Sequence, residues 1–203
     1  MSELIFATTN QAKLAQIAGA LKSLDIAVVG LDKNIPLPEV NEDGETAEVN
    51  ARQKATAYAR AINQPVLSMD NALYFDGLPP DKQPGVHVRR CDSDSVRCDD
   101  QGMLQYYSEL IDNLGERING HWIFALCFAT PDGKILETSI ISPRIFVSQP
   151  CARIDPGYPL ESLQVDPNTG QYISEMTPKE RDIFWQKAIG APLSAFVKTL
   201  PLE

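Results

Sequence analysis

Three stretches of this chain carry residue types at spacings that could do chemistry. The first is Leu4-Ile5-Phe6-Ala7-Thr8-Thr9-Asn10-Gln11-Ala12-Lys13-Leu14. It reads as an apolar strand, a tight polar loop and the opening of a helix, because Leu14, Ile17, Ala18 and Leu21 recur at one-face helical spacing. Thr9 or Asn10 is placed to cap the first turn. A helix N-terminus presents unpaired N–H groups and the positive end of a dipole, and Lys13 adds a full charge at the same place. This suits a small anion, most simply a phosphate. It equally suits an ordinary strand-to-helix connection with an exposed lysine, since the glycines of better-known phosphate loops are missing.

The second stretch runs from Val40 to Ala55. Gly44 permits a turn, Asp43 or Thr46 can cap, and Ala47, Ala51, Ala55, Tyr58, Ala59 and Ile62 form a stripe of mostly small residues. Thr46, Asn50 and Lys54 recur every fourth residue and so share a neighbouring face. Such a column is either solvated or the wall of a cleft. The third stretch, Pro65-Val66-Leu67-Ser68-Met69-Asp70, reads as a buried strand ending in a lone carboxylate, which serves base or metal chemistry or else caps a loop.

The elements that must position these residues alternate between strand and helix. Ile26–Leu31 reads as a second strand and Leu104, Tyr107, Ile111 and Leu114 mark another amphipathic helix. Residues 122–130 and 134–141 read as a hairpin across Pro131-Asp132-Gly133, with a separate strand over 144–147. Residues 157–170 read as irregular. Thr177-Pro178-Lys179-Glu180 is a capping box with proline at the first helical position. That helix is expected to end at Gly190-Ala191-Pro192, with a short final helix through Leu193, Phe196, Val197 and Leu200.

The 203 residues suit one large domain or two small lobes. With a formal charge of −9 and no Lys/Arg run longer than a pair, nucleic acid is a poor partner, because that affinity comes from many phosphate neutralisations. A small anion needs only two or three local lysines. No apolar run reaches bilayer length and no signal pattern opens the chain, so the reading is cytoplasmic, with no membrane partner. Cys91, Cys98, Cys127 and Cys151 form no C-x-x-C pair, and His87 and His121 are the only histidines, so zinc is poorly supported.

In order, Thr8-Thr9-Asn10-x-x-Lys13, Glu42-x-Gly44-x-Thr46-x-x-x-Asn50-Ala51-x-x-Lys54-Ala55, Asp70, Pro84-Gly85-Val86 and Ser174-Glu175-Met176 resemble the inosine/xanthosine triphosphate pyrophosphatase (ITPase) family. The resemblance spans nearly the whole chain and is strongest up to Arg90. It implies an α/β fold: an elongated mixed central sheet flanked by helices, one domain over 1–203 in two lobes with a nucleotide cleft between them. It also implies a homodimer that uses Mg²⁺ to cleave a nucleoside triphosphate to monophosphate and pyrophosphate, clearing deaminated purine nucleotides. By the same resemblance Thr8, Thr9, Asn10, Lys13 and Lys54 hold phosphates and Glu42 ligates Mg²⁺. Asp70 is then metal ligand or water-activating base, and Tyr158, Arg181, Trp185, Gln186 and Lys187 take the base-pocket positions.

The departures concentrate where specificity resides. The family's two acids before Ser-Gly are Met69-Asp70 before Asn71-Ala72, so one carboxylate is missing, and its Glu before Asn-Ala is Val49. Its Gly-Tyr-Asp-Pro appears as Gly157-Tyr158-Pro159-Leu160, with Asp155-Pro156 just upstream, and its Ser-His-Arg as Trp185-Gln186-Lys187. Trp185 either stacks on a base or fills the pocket. Arg89 and Arg90 either reach the triphosphate or offset the acidic segment that follows. Two functions fit: a pyrophosphatase with altered base preference, or a catalytically impaired nucleotide-binding relative with a regulatory or scaffolding role.

Overall fold

The computed structural model describes residues 2–8, 10–32, 34–91 and 96–202. Its strands are β1 (Ser2–Phe6), β2 (Ile26–Gly30), β3 (Val66–Phe75), β4 (Arg117–Ala129), β5 (Ile135–Val147) and β6 (Gln164–Val165). Its helices are α1 (Gln11–Ala20), α2 (Ala47–Ile62), α3 (Asp100–Leu114), α4 (Pro178–Trp185) and α5 (Ala191–Val197). The strands form one sheet in the order β2-β1-β3-β4-β5-β6. β1 runs parallel to β2, with Leu4 opposite Val28, and parallel to β3, with Phe6 opposite Leu67. β5 runs antiparallel to β6. The sheet is therefore mixed, with helices in the crossovers between its parallel strands, as expected for an α/β chain. No helix among the described residues is long and apolar enough to cross a membrane.

The chain divides into two compact units. One comprises 1–71, 123–140 and 182–203; the other comprises 72–122 and 141–181. In the first, Leu4 and Phe6 of β1, Ile17 of α1, Val66 and Leu67 of β3 and Phe124–Ala129 of β4 are all buried. The small-residue stripe of α2 is buried as well, with Ala51, Ala55 and Ala59 fully inaccessible, so the helix sits close to its neighbours. Its exposed flank is tied to the start of β5: Arg52 donates to both carboxylate oxygens of Glu137 (2.8 and 2.6 Å), and Ser139 Oγ donates to Glu48 Oε1 (2.6 Å). The second unit has its own core, in which Leu73 and Phe75 meet Val88, Leu104, Tyr107, Ile111, Phe146 and Leu163.

Five expectations about the elements are corrected. β3 continues five residues past Asp70, through Phe75, because Leu73 and Phe75 have a second core to enter. β4 begins at Arg117, before the expected start. β5 is one strand through Pro143; β6 pairs only with positions 145 and 146, so the missing N–H of that proline falls outside this ladder. Finally, the chain does not leave the helix at Gly190. It passes through a π-helical turn, Gln186–Gly190, directly into α5, with Gly190 helical at φ −62°. A Cβ at Gly190 would lie 3.2 Å from the carbonyl of Ala20, so glycine serves close approach to α1 there, not termination. The stretch expected to be irregular holds the 3₁₀ turn Pro159–Leu163 and β6.

Candidate functional site

The N-terminal loop is organised by its own side chains. Asn10 is the N-cap of α1: its Oδ1 accepts from the N–H groups of Ala12 (2.9 Å) and Lys13 (3.3 Å). Thr8 Oγ1 in turn accepts from the Asn10 N–H at 3.1 Å. Two of the helix's opening donors are thus taken by Asn10, which leaves less of the helix end to an anion than the sequence alone offered. Lys13 lies half-buried in the first turn. Thr9 lies outside the described residues.

The convergence of charge is on α2 and β3. Asn50 and Lys54 lie one turn apart on α2. Across from them, β3 presents Ser68 and Asp70 on one face, since residues two apart in a strand point the same way. Ser68 Oγ donates to the carbonyl of Ala51 (2.5 Å), which brings strand and helix together. Asn50 Nδ2 donates to Asp70 Oδ2 at 3.1 Å, and Lys54 Nζ stands 3.5 Å from Asp70 Oδ1. The same ammonium stands 3.2 Å from Glu42 Oε2. Lys54 and Asp70 are nearly buried (side chains 11% and 10% exposed), whereas Glu42 is 43% exposed. Two carboxylates therefore converge on one ammonium at the edge of a buried pocket of polarity. Met69 takes the opposite face of β3 and is buried in the core.

Gly44 holds the approach to this cluster. Its N–H donates to Asn50 Oδ1 at 2.8 Å, so Asn50 uses its oxygen on the loop and its nitrogen on Asp70. A Cβ at Gly44 would lie 2.6 Å from Val49 Cγ1 and 2.7 Å from Asn50 Oδ1. Thr46 caps α2 through the Val49 N–H. Of the four-residue column, then, Thr46 caps, Asn50 orients the carboxylate and Lys54 neutralises it. Asn50's part was missed by sequence reasoning, although its spacing from Lys54 pointed to a shared wall.

Glu42 and Asp70 suit a hard divalent cation only as a sparse set. Magnesium accepts one or two protein carboxylates and completes its octahedron with water and phosphate oxygens. No group of three or more Asp, Glu, His or Cys side chains that could hold a metal occurs among the described residues. The donor set fits a metal that arrives with phosphate.

The base-pocket positions divide between the two units. Within the second, the half-buried Tyr158 precedes the 3₁₀ turn, and Arg181 Nη2 donates to Asp155 Oδ2 (2.5 Å) and to the carbonyl of Ser174 (3.0 Å). Arg181 Nη1 lies 3.8 Å from Glu161 Oε2. Within the first unit, Trp185 is buried edge-on to Phe184 and Phe124, with ring centroids 5.1 and 6.2 Å away. Its ring is taken up by core packing. Gln186 Nε2 donates to the carbonyl of Gly19 (3.4 Å), and Lys187 is exposed. Arg89 pairs with Asp100 (2.9 Å) in the acidic segment and donates to the carbonyl of Gly157, while Asp100 Oδ2 accepts from the Gly157 N–H (2.7 Å).

Comparison with known proteins identifies relatives of this chain and of its fold. A protein-family model described as the Ham1 family matches residues 4–188. A dITP/XTP pyrophosphatase of Rhodopseudomonas palustris is 30% identical over 183 residues, covering 88% of this chain and 84% of that protein. One of the same name from Cutibacterium acnes is 29% identical over 187 residues, covering 90% and 89%. Among solved structures, a HAM1 protein from Coxiella burnetii superposes with a TM-score of 0.72 at 21% identity, over 98% of this chain and all of that one, a likeness of fold.

Proposed function

This chain belongs to the Ham1 family, and from that premise we propose that it is a Mg²⁺-dependent nucleoside triphosphate pyrophosphatase. It would be a hydrolase of acid anhydrides converting nucleoside triphosphate and water to monophosphate and pyrophosphate. The relatives' name, dITP/XTP pyrophosphatase, supports deaminated purine nucleotides as the substrate class. The rewritten base-pocket positions, with Trp185 in the core and Lys187 in place of an arginine, support an altered preference among bases.

One observation carries the reading: Lys54 bridges the carboxylates of Glu42 (3.2 Å) and Asp70 (3.5 Å), and Asn50 donates to Asp70 (3.1 Å). Hydrolysis at the α-phosphorus needs charge neutralisation and a water delivered opposite the leaving pyrophosphate. Glu42 and Asp70 are the residues that would hold Mg²⁺, which when bound supplies charge neutralisation at the phosphates. Asp70 takes up the attacking water's proton as the bond between the α-phosphorus and the bridging oxygen breaks. Asn50 keeps that carboxylate in one orientation, and Lys54 contributes positive charge for the phosphate chain. Thr8, Thr9, Asn10 and Lys13 are the proposed phosphate contacts of the N-terminal loop. The carboxylate missing at position 69 would stand on the other face of β3 from Asp70, so its loss leaves the Glu42–Asp70 pair in place. A homodimer acting in the cytoplasm completes the reading.

The test is pyrophosphate release with Mg²⁺ across inosine, xanthosine and the common ribo- and deoxyribonucleoside triphosphates. Turnover that Asp70→Asn abolishes while the variant stays folded is the expected result. Silence across the panel with nucleotide binding intact would refute it and favour a binding protein that keeps the fold.

A further inference from the structure

Lys54 stands between the two carboxylates that are proposed to hold Mg²⁺. Its ammonium lies 3.2 Å from Glu42 Oε2 and 3.5 Å from Asp70 Oδ1. The other oxygen of Asp70 accepts from Asn50 Nδ2, so Oδ1 is the one that Asp70 turns to the ammonium. Lys54 and Asp70 are nearly buried, where water screens charge poorly, and the half-exposed Glu42 forms the open side. A magnesium ion held by these carboxylates would lie about 2.1 Å from each ligating oxygen. The ammonium cannot keep both its contacts beside such an ion, because like charges that close repel strongly in a poorly solvated place. Lys54 therefore competes with the metal for the same two groups. It is carried on a flexible four-carbon stem, so the charge can turn without moving α2. A triphosphate that draws the ammonium to itself leaves both carboxylates to the metal.

We propose that Lys54 couples the binding of metal and nucleotide. Its ammonium is the internal counter-ion of the Glu42–Asp70 pair, and it passes to the substrate's phosphates as the metal takes the carboxylates. The inference rests on the pyrophosphatase reading above for the identity of the two ligands. A metal ion arriving by itself meets a pair whose charge is half balanced, so it binds weakly. The nucleotide raises the metal's affinity, and the metal raises the nucleotide's by the same factor, as linkage requires. Lys54 thereby disfavours metal uptake when there is no substrate to act on.

The experiment uses the full chain and measures the two affinities separately by calorimetry: magnesium chloride without nucleotide, and inosine triphosphate in EDTA. Lys54→Gln should tighten Mg²⁺ binding about tenfold and weaken metal-free binding of the nucleotide by a similar factor. Shifts of opposite sign are not what a merely damaged fold produces. Lys54→Arg keeps the charge and should hold Mg²⁺ near the wild-type affinity. Asp70 loses its buried counter-charge in Lys54→Gln, so Tm without metal should fall and Mg²⁺ should restore it. A Lys54→Gln protein that binds Mg²⁺ no more tightly than wild type would overturn the proposal. So would one that stays unfolded in excess Mg²⁺, since the metal would then have failed to replace the ammonium. Lys54→Arg binding Mg²⁺ as tightly as Lys54→Gln would overturn it too. Mg²⁺-dependent pyrophosphate release by the wild type, with Mg²⁺ affinity unchanged in Lys54→Gln, removes this inference and leaves the pyrophosphatase reading standing. No pyrophosphate release, with the opposite shifts intact, removes that reading and sustains the coupling.

Discussion

Replacing Glu161 by glutamine should change how the protein's stability depends on pH. Glu161 is 5% exposed, and burial pushes its carboxyl up from an ordinary 4.5 to about 7, against the opposing pull of Arg181, Arg144 and Arg153 and with the help of Asp155. The folded state therefore holds its proton more tightly than the unfolded chain does. Stability from this group is fully present below pH 4.5, is lost as pH rises towards 7 and is level above that. At about 1.4 kcal/mol for each tenfold change in proton affinity, the full loss is on the order of 3 kcal/mol. Glutamine has no proton to lose, so the variant should be spared that loss. Urea unfolding at pH 5 and pH 8 reads it directly. The stability of Glu161→Gln relative to wild type should improve by about 2 kcal/mol from the lower to the higher pH, whatever constant penalty arises from the weakened contact with Arg181. Parallel stability curves for the two proteins would refute the reasoning. So would a relative gain on going to lower pH.

Two glycines offer further checks. Gly44→Ala should cost about 1–3 kcal/mol in denaturant unfolding, because its Cβ would overlap Val49 and Asn50, and should slow turnover as well by displacing the amide that orients Asp70. Gly120→Ala should destabilise by at least as much, since its Cβ would lie 2.6 Å from the carbonyl of Tyr74 in the neighbouring strand and 3.0 Å from Phe146. The backbone carbonyl cannot move aside without the sheet, so calorimetry should show a Tm lowered by several degrees.

Where the signal is local, the amino-acid sequence is sufficient. The capping box at Thr177 forms as read, with Glu180 accepting from the Thr177 N–H and Glu180 N–H donating back to Thr177 Oγ1. Asn10 and Thr46 cap the helices their spacing announces. The alanine stripe of α2 becomes its buried face because small residues at helical spacing can only serve close packing. The order of motifs likewise suffices for family and fold, since each motif occupies a strand end, loop or helix start that the α/β plan provides.

What is decided between residues far apart in the chain stayed out of reach. Asp70 reads as a strand end until one sees that Leu73 and Phe75 draw β3 onward into a second core. Gly190 reads as a helix stop until the carbonyl of Ala20 comes so close that even a Cβ there would be a tight contact, at 3.2 Å. Trp185 keeps both its roles on paper, and the rings of Phe124 and Phe184 claim it for the core. The joining of Asp155 and Glu161 on Arg181 follows from no periodicity, for 26 and 20 residues separate the partners. Periodicity and capping record what a residue does to its own turn of chain. Which carboxylate neutralises which cation, and which ring is spent on packing, depends on distances that exist only once the sheet has brought remote segments together.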